Sequence, residues 1–499
     1  MTNLSQNNNQ SNAPDKVSIK SKAVKSAKWT TANSVVNMVY GPIYKILLAM
    51  IISPTDFAYI AAIAVVLNLG DMLNKIGFSQ ALIVEEKTDF KQFSSVLWLD
   101  AFMSLIVGVA IVSCSSFVER YYQLENLSSM ILVVAPCVLF SGLARTFRCY
   151  LQRELRVDII TRIDMLKLIL DSTFSIVMIL VTKSIFGYVI GTLIGSFSSM
   201  TCMMLCAFKH GYKIKFCIDF KLIKKIWNFA GFVTLRQVFD YIMNVADELL
   251  IARLFSDKSV LGFYYFAKDL ISKPQGVITS AVSQVALSTV AKFSNDLKQV
   301  GNLYLTMTKF LAVVSFPVFA GLAVTAGEFV PLLFGSEYLG AVIYVQLFCI
   351  RSIFATYTLS PTSAVLYAIK KPNRLFAIDL ANNIPYVILL LILGRFGMGW
   401  IMAVIMFRAF CVVLMSQIVT MKSIMLSIRK YLSELKVTFV ATIMMVIGVF
   451  AIQTIIPNSA SYLIELVASV AVGAVVYTVI MLKLEKSLIT KLLGLLKRG

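Results

Sequence analysis

The chain has 499 residues, of which 58% are hydrophobic and 14% charged, with a formal net charge of +20. An ordinary soluble domain is about half apolar and a quarter charged, so a mean hydropathy of +0.81 excludes a water-soluble globular protein and predicts an all-α polytopic membrane protein. The positive charge is topology rather than a nucleic-acid footprint: Lys and Arg gather in alternate connections between apolar runs, as cytoplasmic loops require, and no nucleic-acid partner is expected.

Residues 1–28 open with "MTNLSQNNNQSNAPD" and turn lysine-rich, which reads as a disordered and then basic cytosolic tail without a cleavable signal peptide. A bilayer core about 30 Å thick needs roughly 20 apolar residues per helix. Windows of that length mark about fourteen spans: 29–52, 57–84, 93–118, 127–147, 159–182, 184–208, 228–252, 260–291, 303–327, 338–369, 376–394, 398–421, 433–456 and 461–482. The second, eighth and tenth are overlong and are expected to bend or to run on into the cytosol. Alternate connections carry most of the basic residues, whereas the opposite side holds only Arg120, Lys183, Arg253, Lys258 and Arg395. Both termini are therefore expected in the cytoplasm, with anionic lipid headgroups against the basic loops.

A repeat organises these spans. Residues 26–63 and 224–267 run in step: a basic residue, a tryptophan (Trp29, Trp227), about 25 residues of helix, a Ser/Asp turn and an aromatic restart. The expected architecture is two six-helix lobes, 29–208 and 228–422, joined by a basic cytosolic linker, 209–227. Two more helices follow in 423–482, and a basic amphipathic tail, 483–499, lies on the membrane surface.

Polar residues inside apolar spans are costly and mark cavities or internal pairs. The first span aligns Asn33, Asn37, Tyr40 and Tyr44, with Lys45 about 100° off that face and Gly41 and Pro42 offering a kink. The second places Asn68, Asp71 and Lys75 within about 60°, the last two as an i, i+4 pair. Asp164, Lys167 and Asp171 form a structural stripe on the fifth. On the seventh, Arg236, Asp240, Asn244 and Asp247 fall at about 0°, 40°, 80° and 20°. Asp247 has no basic partner at i±3 or i±4 and is a candidate for coupling-ion or proton binding, with Asp240 and Asp71 as further candidates. Glu248, about 40° beyond the edge of that stripe, is expected to be peripheral, reaching solvent or Arg253. The deep basic residues are Lys268 and Lys273 in the eighth span, Arg351 in the tenth and Arg408 in the twelfth. Internal pairing and ligand binding both remain open for each of them.

The eight cysteines lack metal-ligand spacing, His210 is the lone histidine, and no Walker-type loop occurs, so neither a cofactor nor a metal is expected.

The stretch "LAMIISPTDFAYIAAIAVVLNLGDMLNKIGFSQALI" resembles the first hairpin of Wzx-type polysaccharide flippases. "NVADELLIARLFSDKSVLGFYYFAKDLISKP" resembles their N-x-x-D-x-x-x-I, L-G-x-Y-x-x-A and trailing Pro pattern. The chain is identified as similar to this branch of the multidrug/oligosaccharidyl-lipid/polysaccharide exporter superfamily along nearly its whole length; Ala58 stands where the branch usually has Gly. The resemblance implies a non-enzymatic flippase in the bacterial inner membrane. It would move undecaprenyl-pyrophosphate-linked oligosaccharide units, of the O-antigen or exopolysaccharide kind, by ion-coupled alternating access. It further implies that the first, second, seventh and eighth helices line a central cavity, that the protein is a monomer, and that a polysaccharide polymerase is a candidate partner. Pyrophosphate suits Arg forks and Lys point charges. The substrate candidates are accordingly Arg236, Arg351, Arg408, Lys45, Lys75, Lys268 and Lys273, with Asn33, Asn37, Tyr40, Tyr44 and Asn244 for the sugar. A drug or cation exporter of the same superfamily is the alternative, and would favour acids and aromatics over bases at mid-depth. A polymerase or ligase would need a sizeable outer loop, and the outer loops here are short, the longest near 119–126 and 328–339.

Overall fold

The computed structural model describes residues 29, 33, 36–37, 39–74, 90–154, 156–214, 220–456 and 461–485, with the backbone course alone over 220–236 and at 90, 281, 284, 285, 288, 359 and 372. Among them every regular element is helical, without strands. The helices are α1 (Val39–Ala49), then α2 (Pro54–Asn74), α3 (Phe90–Tyr122), α4 (Leu127–Val134), α5 (Pro136–Arg153), α6 (Val157–Thr182), α7 (Phe186–Lys209), α8 (Phe220–Leu254) and α9 (Lys258–Lys292). They continue with α10 (Leu297–Val324), α11 (Ala326–Phe334), α12 (Val342–Ala368), α13 (Pro372–Leu393), α14 (Met398–Ser423), α15 (Ile428–Ile455) and α16 (Tyr462–Leu484). Backbone polar groups cannot be left unpaired in hydrocarbon, so apolar runs of this length fold as helices.

Eleven helical spans among the described residues are long and apolar enough to cross a bilayer, against about fourteen expected. Helices α8 and α9, at 35 residues each, are not among them. In α9 the reason is plain: Lys268, Asp269 and Lys273 crowd its first half and Gln275, Thr279, Ser280 and Ser283 its second, so no window is apolar enough. It runs on past Pro274 as one helix. The fourth span is broken at Ala135, where Pro136 opens α5 at a position that tolerates the missing N–H. The seventh span begins earlier than its apolar core, at Phe220. Gly41 and Pro42 sit inside α1 without interrupting its helical course.

The chain divides into two compact units. The first comprises Met1–Tyr40, Val66–Ser116 and Ser128–Phe239, and the second Gly41–Val65, Phe117–Leu127 and Asp240–Gly499. In the first unit α6 and α7 form a hairpin held by backbone proximity. Gly187, Gly191 and Gly195 recur every fourth residue on α7. A β-carbon at these positions would lie 2.2 Å from Ile179 N, 2.1 Å from Ser175 Oγ and 2.7 Å from Asp171 Cβ. Small residues at this spacing let membrane helices approach closely, where apolar burial gives no drive. The unit also holds an aromatic cluster of Phe93, Phe147, Tyr150 and Tyr212. Tyr150 donates to the His210 carbonyl at 2.9 Å, and burial pushes the Tyr212 phenol above its ordinary pKa.

The second unit draws in segments from the first half of the sequence. Gly262 of α9 meets Pro54 so closely that a β-carbon would lie 1.7 Å from its carbonyl oxygen, and Tyr338 donates to the Ile52 carbonyl at 2.8 Å. Phe57, Phe266, Phe334 and Tyr338 pack ring to ring. Asp257 caps α9 by accepting from Ser259 N at 2.9 Å and Ser259 Oγ at 2.7 Å, which holds its carboxyl below the ordinary range. Helices α15 and α16 pack on one another and α15 packs on α10; Lys309 of α10 clamps them, 2.9 Å from Glu434 and 2.7 Å from Glu485. The molecule is therefore an all-α, multi-pass membrane protein.

Candidate functional site

Five helices of the second unit converge on a cavity of about 360 Å³. Helix α8 contributes Asp240, Asn244 and Asp247, α9 Lys268, and α12 Arg351; α13 contributes Asp379, Asn382, Asn383 and Tyr386, and α14 Arg408 above an apolar patch. The stripe read from the seventh span is thus one wall of this cavity, because residues three and four apart share a helix face.

Asp247, Glu248 and Lys268 form a dense ionic cluster beside the cavity. Asp247 and Glu248 are 5% and 4% exposed. Lys268 Nζ lies 3.1 and 3.2 Å from the two Asp247 oxygens and 2.7 Å from Glu248 Oε1, and it also donates to the Asn244 carbonyl at 3.2 Å. The Tyr264 hydroxyl donates to Asp247 Oδ2, and the Glu248 N–H donates to Asp247 Oδ1 at 2.9 Å. Asp247 thus finds on α9 the base that its own helix does not supply. The expectation for Glu248 is corrected: it is buried and paired with Lys268, since the turn from α8 into α9 brings an ammonium against the side that the single-helix projection assigned to solvent. Two buried carboxylates share one ammonium.

Two guanidiniums also line the cavity, together with Asp240 and Asp379. Arg408 donates from Nη2 to Asn383 Oδ1 at 2.7 Å and to Asn244 Oδ1 at 3.1 Å, and its guanidinium lies 4.3 Å from the Tyr386 ring centre. Arg351 lies 5.9 Å from the Phe348 ring centre. Neither guanidinium has a carboxylate partner within ion-pair distance among the described residues. Arg408 is held by neutral amides, which position a guanidinium without neutralising it.

Six of the sequence candidates therefore meet in one place: Asp240, Asn244, Asp247, Lys268, Arg351 and Arg408. The others lie elsewhere. Lys45 is buried, 2.6 Å from Asp269 and 3.1 Å from the Phe266 carbonyl, and Lys273 is 3.4 Å from the same Asp269, so these two bases serve an internal pair. Asn37 donates to Asn33 at 2.9 Å, and Tyr40 shares a 2.6 Å hydrogen bond with Ser172; Tyr44 does not line the cavity. Asp71 accepts from Ser141 at 2.5 Å with Arg145 4.0 Å away. Its supposed partner Lys75 and the Arg236 side chain lie outside the described residues. The α13 wall was missed, although the same projection finds it: Asp379, Asn382, Asn383 and Tyr386 fall at about 0°, −60°, 40° and −20°.

Comparison with known proteins bears on the family and the fold. Residues 47–343, more than half of the chain, match the family described as polysaccharide biosynthesis protein. The teichuronic acid biosynthesis protein TuaB of Bacillus subtilis (strain 168) is 24% identical over 481 residues, 95% of this chain and 98% of TuaB. Among solved structures, the lipid II flippase MurJ in an inward closed conformation superposes with a TM-score of 0.75 at 17% identity, over 93% of this chain and 100% of that one. A multidrug resistance MATE family transporter of the MOP superfamily, inward-facing, gives 0.59 at 13% identity, over 80% and 95%. The fold is shared with these solved structures, and the chain belongs to the polysaccharide biosynthesis protein family.

Proposed function

We propose that this protein carries a lipid-linked saccharide across the bacterial inner membrane by alternating access, with both termini in the cytoplasm, and that the cavity of the second unit holds the linking phosphate or pyrophosphate. The observation that carries this reading is the pair Arg351 and Arg408, two guanidiniums that line one cavity with Asp240, Asp247 and Asp379, yet neither stands within ion-pair distance of a carboxylate among the described residues. A pyrophosphate supplies about two negative charges and several acceptor oxygens, which suits guanidinium forks held in place. The Asn and Tyr side chains around them give neutral donors and acceptors fitted to sugar hydroxyls. The ionic triad supplies the coupling element: a site holding two carboxylates and one ammonium gains from binding one further cation, a proton or sodium, and that gain differs between open and closed states.

The test is transport of a lipid-linked saccharide by purified protein in liposomes. Arg351→Gln and Arg408→Gln should each lower the rate about tenfold or more, since a charge-assisted hydrogen bond contributes about 1.5–3 kcal/mol, while the yield of folded protein stays unchanged. Unchanged transport in both variants overturns the phosphate site.

A further inference from the structure

Two helical hairpins, α1–α2 and α8–α9, meet at their tips inside the second unit. A β-carbon at Gly262 of α9 would lie 1.7 Å from the carbonyl oxygen of Pro54, which opens α2, and Tyr338 donates to the carbonyl of Ile52 in the α1–α2 turn at 2.8 Å. Lys45 crosses the same joint from α1. Its Nζ stands 2.6 Å from Asp269 Oδ2 and donates to the Phe266 carbonyl at 3.1 Å. Each charge of this pair has a second partner on its own side of the joint. Asp269 also faces Lys273 of its own helix at 3.4 Å, and that lysine side chain is 57% exposed. Lys45 Nζ lies 5.9 Å from the ring centre of Phe57 on α2, as well as 5.1 Å from that of Phe266 on α9. Parting α1–α2 from α9 would therefore leave the carboxylate with an ammonium and the ammonium with a ring face, both favourable pairings. The neighbouring triad is built the other way. Asp247 and Glu248 share Lys268 across the α8–α9 contact, and no second base stands within ion-pair distance of either among the described residues. Separating α8 from α9 would strand two buried carboxylates.

We propose that Lys45 and Asp269 form a releasable latch: the α1–α2 tip leaves α9 in the course of transport, Lys273 takes over Asp269, and the stretch of α9 beneath the latch opens to the outer side. The proposal rests on the reading of the protein as an alternating-access carrier with both termini in the cytoplasm, which puts the Pro54 and Gly262 ends of the two hairpins at the outer surface. The α8–α9 tie stays closed throughout, because its charges have no exchange partner. Lys268 and Asp269 are successive residues of α9, turned about 100° from one another. The helix that carries the latch thus also carries the ammonium of the triad, and a movement of one is felt at the other.

The test uses the full chain with Cys349 as its only native cysteine, carrying Ala267→Cys, in right-side-out membrane vesicles treated with a membrane-impermeant thiol reagent. Ala267, beside the joint on α9, and Cys349, on α12, are both 0% exposed with the latch closed. Lys45→Met should raise the labelling rate at 267 about tenfold, the shift that loss of one charge-assisted hydrogen bond produces in a two-state equilibrium, with Cys349 still unlabelled. Gly262→Ala, which forces Pro54 away without touching a charge, should do the same. Lys273→Met should act in the opposite direction and slow labelling at 267, because it removes the base that receives Asp269 in the open form. Labelling at 267 that ignores both Lys45→Met and Gly262→Ala overturns the latch. So does labelling that rises at 267 and Cys349 together, which marks general loosening. Labelling unchanged or faster in Lys273→Met overturns the hand-off of Asp269. Transport of a lipid-linked saccharide by the unaltered chain in liposomes separates the two readings: no transport, with labelling as expected, overturns the carrier and leaves the latch, whereas transport with unresponsive labelling overturns the latch alone.

Discussion

Two helical hairpins of similar form are held together by opposite means. Helices α6 and α7 touch through glycines at every fourth position, so close that a β-carbon at Gly191 would lie 2.1 Å from Ser175 Oγ. Helices α8 and α9 touch through Asp247, Glu248, Lys268 and Tyr264, a polar cluster buried beside a cavity. In a bilayer the first device is inexpensive, because it exchanges lipid contact for backbone contact. The second requires charges to be taken from water and repaid by one another. A scaffold needs only the first; the second points to a site where charge is used.

Breaking the polar hairpin should cost most. Lys268→Met leaves two buried carboxylates facing one another, a loss of about 3–5 kcal/mol, visible as a large fall in folded, membrane-inserted protein; adding Glu248→Gln should restore much of it. If Lys268→Met is as stable as the parent, the cluster is not a structural tie. The glycine hairpin should suffer next. Gly191→Val forces overpacking worth about 1–3 kcal/mol, lowering the melting temperature while transport per folded molecule stays constant, whereas Gly108→Val, with nothing within 4 Å of the added carbon, should be silent. The comparison is sharpened by Asp247→Asn, a neutral mimic that leaves the Lys268 and Glu248 pair intact. Substrate binding should persist, and the dependence of transport on the ion gradient should vanish; an unchanged gradient dependence removes Asp247 from coupling. The smallest effect belongs to the α9 cap. Asp257→Ala should cost about 1 kcal/mol. Because the Asp257 carboxyl is held below its ordinary range, that contribution is present at neutral pH and fades as pH falls through its folded-state value.

Much of the site was legible from spacing. Asp240, Asn244 and Asp247 were placed on one face by helical periodicity alone, and Lys268, Arg351 and Arg408 stood out as bases deep in apolar spans. The α13 wall, Asp379 to Tyr386, obeys the same periodicity and needed only the same projection. What spacing could not show was partnership. Lys45 and Lys273 look like ligand-binding bases until Asp269 is found between them, and Glu248 looks peripheral until α9 folds back over it.

Composition and periodicity determine that this chain lives in a membrane as helices, and which face of each helix is polar, because hydrocarbon tolerates no other backbone arrangement and each face is set by 100° per residue. Which of those polar faces meet, and therefore which charges are paired internally and which face a cavity, was decided by tertiary structure alone. A helix carries no record of its neighbour's charge, and that neighbour distinguishes Lys45, committed to Asp269, from Arg351 and Arg408, left facing the cavity.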